Sequence, residues 1–160
     1  MKGRERQAAR RTASGFTLLE ILLSVGLLSV LAGIIVIAIN PAKQLAEARN
    51  VQRRADVNSI LNAVYQHAID NNGLVAASIP SSATCPAPAT NEICRTGGTC
   101  TGLVDLAVLT DNQKYITSMA ADPTGATTNG SGYFIAKNVN GRVIVCAPSA
   151  EQGATISVIR

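Results

Sequence analysis

The sequence predicts an α+β protein: a long N-terminal helix, apolar in its first half and amphipathic in its second, packed on a small antiparallel β-sheet. Three observations carry that expectation. A nearly unbroken apolar run fills residues 16–39, and helical 3–4 spacing continues to about residue 71. Near the other end, Asn140-Gly141 separates two short apolar segments.

The first helix rests on Phe16 to Ile39, FTLLEILLSVGLLSVLAGIIVIAI, in which 18 of 24 residues are apolar. At about 1.5 Å per residue it would reach roughly 36 Å, enough to span a bilayer core of about 30 Å. A secretory signal peptide has a shorter apolar region closed by a small-residue cleavage site, and neither feature is present. The only charge in the run is Glu20. An ionisable group inside a membrane is costly unless it is paired or reaches the headgroups, so Glu20 demands a reason.

The charge distribution gives the orientation. Lys2, Arg4, Arg6, Arg10 and Arg11 stand against one acid, Glu5, in the first fifteen residues. The whole formal charge of +4 therefore lies there, and the nine basic and nine acidic residues that follow cancel. Basic residues ahead of an apolar run predict a cytoplasmic N-terminus with the rest of the chain outside. With no basic domain left, a nucleic-acid partner is not predicted.

After Asn40-Pro41, the residues Val57, Ile60, Leu61, Val64 and Ala68 mark one face of a helix. Lys43 with Glu47 and Arg53 with Asp56 have the spacing of helical ion pairs. Arg49, Arg53 and Arg54 read as a solvated face available to a neighbouring subunit, and His67 as a solvated helical histidine. Asn71-Asn72-Gly73 is a stop signal. The expectation is one helix from about residue 17 to 71, with weak points at Gly26 and Gly33 and a kink at Pro41, which lacks a backbone donor.

Residues 74–102 are rich in Ser, Thr, Pro, Gly and Cys and read as a loop region; Leu103 to Leu109 is of undecided type. Asp122-Pro123-Thr124-Gly125 is a turn by its chemistry. Tyr133 to Val139 and Arg142 to Val145 read as strands flanking Asn140-Gly141, which predicts a type I′ hairpin. Thr155 to Ile159 is a third strand after the connection 147–153, giving a three- or four-stranded sheet.

A single His removes His-based triads and His-rich metal sites from consideration, and an enzyme is the poorest reading. The cysteines, Cys85, Cys94, Cys100 and Cys146, contain no C-x-x-C pair, so neither a zinc ribbon nor a redox dithiol is supported. With the domain outside the cytoplasm, two structural disulfides are expected, and three connectivities are open. The turn-forming segment 95–99 favours Cys94–Cys100, which leaves Cys85–Cys146.

Gly15-Phe16-Thr17-Leu18-Leu19-Glu20, between a basic leader and a long apolar helix, resembles the processing motif of type IV pilins and of type II secretion pseudopilins. The resemblance implies a pilin-like fold with four segments: a removed leader (1–15), a transmembrane or filament-core helix (16–40), an amphipathic helix half (41–72) and a disulfide-containing globular domain (73–160). It implies cleavage between Gly15 and Phe16 by a prepilin peptidase and N-methylation of Phe16. It further implies a membrane-held subunit that an assembly platform adds to a homo-oligomeric helical filament. In such a filament the Phe16 amine of one subunit is a partner of the right sign for Glu20 of the next. Many pilins carry a helix proline where this chain has Ile37, and here the proline is Pro41. Pseudopilins of the related class often hold calcium, which makes Asp105, Asp111 and Asp122 candidates. Their scattered spacing reads instead as turn and cap residues, with no cofactor. The leading expectation is a pilus-like structural subunit, followed by a secretion pseudopilin. A bitopic anchor presenting a binding domain is a weaker alternative.

Overall fold

A computed structural model describes residues 15–82, 84, 85 and 89–160. The expected leader, apart from Gly15, lies outside the described residues. The chain divides into two compact units, Met1–Pro41 and Ala42–Arg160.

The described part of the first unit is one helix, α1, Leu18–Ile39. It runs without interruption through Gly26 and Gly33 and buries none of its residues. Among the described residues it is the one helix long and apolar enough to cross a membrane. Inside such a segment, hydroxyl groups need internal partners. Ser24 donates to the carbonyl of Glu20 at 2.7 Å and Ser29 to that of Val25 at 2.8 Å, each one turn back along the helix.

The expected single kinked helix is replaced by two helices. Asn40 caps α1 in the left-handed region, φ 48° and ψ 78°, and breaks the hydrogen-bond ladder. Pro41 then opens α2, Pro41–Asp70, as its first residue, where a missing N–H and a fixed φ fit naturally. Helix α2 ends where the asparagine-glycine signal places the stop: the Gly73 N–H returns to the Ala68 carbonyl at 2.8 Å, a Schellman-type closure.

The second unit pairs α2 with a four-stranded antiparallel sheet. Its strands are β1 (Glu92–Cys94), β2 (Gly130–Lys137), β3 (Val143–Cys146) and β4 (Ser157–Ile159), adjacent in that order. β1 falls inside the stretch read as a loop; at three residues it is too short for a period-2 pattern to show. The undecided segment resolves into a bridge from Val104 to Ile93 and a single helical turn, α3, Ala107–Thr110.

The core follows the two periodicities. Val57, Ile60, Leu61 and Val64 from α2 meet Tyr133 and Ile135 of β2 and Val143 and Val145 of β3. The alternate residues Ala136, Ile144 and Cys146 are also buried, so the second face of these strands is covered as well. Cys146 points to that second face, and its disulfide to Cys85 holds the preceding loop there. The other disulfide, Cys94–Cys100, closes the turn 95–99 after β1.

The hairpin turn differs from the type I′ expectation. Val139 and Asn140 occupy its centre, closed by Gly141 N–H to the Asn138 carbonyl at 2.9 Å. Only Gly141 has a positive φ, 79°, so the glycine serves as the left-handed residue after the turn rather than as part of it.

Candidate assembly site and its supporting core

The N-terminal site is built from the first turn of α1. Gly15 and Phe16 are exposed immediately ahead of the helix, with Phe16 79% accessible. Thr17 is the N-cap, extended at φ −79° and ψ 151°, and its hydroxyl oxygen accepts the Glu20 N–H at 3.2 Å. Glu20 thus occupies the third helical position of a T-x-x-E capping pattern, and its charge stands in the first turn, where the helix dipole favours an anion. The four-residue signal Thr17-Leu18-Leu19-Glu20 was available in the sequence and gives Glu20 a local role that sequence reading overlooked. Thr17 engages only the backbone N–H of Glu20, so the cap itself does not use the Glu20 carboxylate.

The second unit holds a buried ionic cluster that the solvated-face reading of α2 missed. Arg53 is 0% exposed and uses all five of its N–H donors. Nε and Nη2 reach the two Asp122 carboxylate oxygens at 2.7 and 3.1 Å. Nη1 donates to Asn50 Oδ1 at 3.0 Å and Glu151 Oε2 at 2.9 Å, and Nη2 donates further to the Thr124 hydroxyl at 2.6 Å. Arg49 adds a two-pronged contact to Glu151 at 2.7 and 2.6 Å. Asn50 exchanges two hydrogen bonds with the Glu151 backbone. Three residues of α2 thereby grip two loops, the 122–125 turn and the β3–β4 connection. Arg54, on the neighbouring face, is exposed.

The pattern could have been read: Ala46, Asn50 and Arg53 continue, at helical spacing, the stripe that Val57, Ile60 and Val64 define. Polar residues on an apolar stripe signal a buried network. The expected Arg53–Asp56 pair is consequently absent. Arg53 turns to Asp122, and Asp56 accepts the Tyr133 hydroxyl at 2.7 Å. Lys43 and Glu47 do pair, at 3.9 Å on the surface.

The electrostatics follow from these contacts. Burial alone would push the Asp122 carboxyl up, but Arg53 and the backbone N–H groups of Thr124 and Gly125 outweigh it and hold it below its ordinary value. Hydrogen bonds from Arg49 and then Arg53 lower Glu151 to about 2. Burial, followed by the hydrogen bond to Asp56, pushes the Tyr133 hydroxyl up. Gly132 lets the cluster close: a Cβ there would lie 2.7 Å from the Asp122 Cβ, and the residue has φ 78°.

The calcium candidates are differently employed. Asp122 lies under Arg53, Asp105 Oδ1 accepts the Ala107 N–H at 2.9 Å at the start of α3, and Asp111 is exposed in the following turn. Among the described residues no three acidic, His or Cys side chains are grouped to hold a metal ion. His67 is half-buried rather than solvated, edge-on to the Tyr115 ring at 5.6 Å between centroids. Tyr115 in turn donates to Asp70 at 2.9 Å, and Lys114 reaches the same carboxylate at 2.8 Å.

Residues 10–36 match a family model described as the prokaryotic N-terminal methylation motif. The match takes in Gly15, Phe16 and Glu20 and most of α1. No curated protein and no solved structure matches the chain.

Proposed function

We propose that this chain, which carries the prepilin signal of type IV pilins and pseudopilins, is the structural subunit of a type IV pilus-like extracellular filament. The observation that carries the reading is one arrangement. An exposed Gly15-Phe16 precedes a capped, wholly exposed apolar helix whose single charge, Glu20, lies in the first turn. A prepilin peptidase cuts between Gly15 and Phe16, the Phe16 amine is methylated, and α1 is retained. The basic leader keeps the N-terminus in the cytoplasm and the Ala42–Arg160 unit outside the inner membrane until a platform draws the subunit into the filament. The protein then acts by packing rather than by catalysis.

In the packed state the methylated, cationic amine of one subunit faces Glu20 of its neighbour. In an apolar surround each charge is expensive alone, so the pair fixes the register between helices. The mass of the mature N-terminus tests the reading: N-methyl-Phe16 is expected, and an intact Met1 overturns it in favour of a bitopic anchor. A type II secretion pseudopilin is the second reading, since the same motif serves both. Electron microscopy of sheared cell surfaces separates them: abundant long filaments support the pilus subunit, and their absence from a cleaved, methylated protein supports the pseudopilin.

A further inference from the structure

Two surface features of the Ala42–Arg160 unit have complementary form. One is a knob. Val139, 95% exposed, stands at the centre of the β2–β3 turn. Asn138 holds that turn closed: its carbonyl accepts Gly141 N–H, and its Oδ1 accepts Asn140 N–H at 3.0 Å and Arg142 N–H at 2.9 Å. A valine presented on a turn already fixed by its own hydrogen bonds loses little freedom on docking. Lys137 and Arg142 flank it, with no acidic residue between them, and among the described residues neither is in an ion pair.

The other feature is a socket. A groove of about 570 Å³ opens beside the C-terminal turn of α2 and is lined chiefly by Leu74, Val75, Ala76 and Val108, with His67 and Asp105 among its polar residues. Leu74 is 70% and Val108 44% exposed, apolar surface that water covers in the isolated unit. Asp105 lines the groove and Asp111 follows α3, neither in an ion pair among the described residues, whereas Asp70, next to the lining Asn71, is held by Lys114 at 2.8 Å.

We propose that the Val139 turn of one subunit seats in this groove of a second copy of the chain. The valine rests on the apolar floor, and Arg142 and Lys137 face Asp105 and Asp111. The charge signs commit the occupant: a basic knob around an apolar tip matches an apolar socket beside carboxylates. Knob and socket are different patches of one surface, so the contact is heterologous and repeats without closing, as a helical filament requires. The inference rests on the filament reading and adds a contact made by the globular unit to those made by α1.

The test is a charge exchange in the full-length chain, read as filament yield from sheared cells against mature-subunit abundance in the membrane. Val139→Asp and Leu74→Lys change only exposed positions, so subunit abundance stays at the wild-type level while filaments are lost. The double variant restores them, because the new carboxylate meets the new ammonium, and Val139→Ile assembles as wild type. Single variants that assemble normally, or a double no better than the singles, overturn the contact. A wild-type chain that forms no filament at all overturns the filament reading instead, which is a separate outcome.

Discussion

At the scale of single residues, Arg53 carries the greatest structural weight in the second unit. A guanidinium with no exposed surface is tolerable only because all five donors are used and two carboxylates face it. Arg53→Ala leaves Asp122 buried without its cation and is expected to cost about 3–5 kcal/mol, read as a chemical-denaturation midpoint. Arg54→Ala, one residue away and exposed, serves as the control and changes stability within about 0.5 kcal/mol. Equal effects from the two would show that the cluster is not what joins helix to loops. Glu151 gives the same cluster a pH signature. A carboxyl lowered in the folded state stabilises fully above its ordinary value of 4.5 and loses that contribution as pH falls toward about 2. Melting temperature should therefore fall between pH 4.5 and 2. The Glu151→Gln curve should be flatter there and approach the parent curve at the acid end; parallel curves would refute the assignment.

At the scale of elements, the disulfides differ in what they close. Cys85 and Cys146 are 61 residues apart and Cys94 and Cys100 only six. Loop-closure entropy makes the first worth about 4 kcal/mol and the second about 2 kcal/mol. Paired Cys→Ser replacement at 85 and 146 should accordingly destabilise more than replacement at 94 and 100, and the reverse order in calorimetry would sink the entropic account. The elements themselves were unevenly legible. The apolar run, the stripe from Val57 to Ala68 and the strands on either side of Asn140-Gly141 could be read because each repeats a period over several turns or residues. The break at Asn40 could not: a proline after an asparagine reads equally as a kink or as the first residue of a new helix. β1 was hidden by its brevity, and the type of the β2–β3 turn by the register of a single pair, Lys137 with Val143. Arg53 escaped because residue type outweighed position. Its spacing placed it on the buried face, while its charge suggested solvent. At the processing site Gly15, Phe16 and Glu20 were visible as a motif, whereas the cap that ties Thr17 to Glu20 needed the backbone geometry.

At the scale of the whole molecule, the two units pose opposite solvent problems. The Ala42–Arg160 unit has its own core, two disulfides and a buried ionic cluster. Helix α1 buries nothing within the chain, and an apolar surface of that extent needs lipid or other copies of itself. Glu20 is the one position where these two surroundings make different demands. In lipid its charge is a liability that the first helical turn and the membrane surface relieve; in the filament proposed above it would become half of an ion pair. Replacing it by Leu should therefore leave insertion and cleavage at Gly15-Phe16 intact while filaments are lost. Because Glu20 also sits in the capping pattern, Leu alone does not separate charge from cap. Glu20→Gln does: glutamine serves the capping pattern equally well and removes only the charge. Both variants should accumulate as cleaved, N-methylated subunits in the membrane with no sheared filaments. If Gln assembles and Leu does not, the residue acts through the first turn of its own helix, and the pairing with a neighbour's Phe16 amine is wrong.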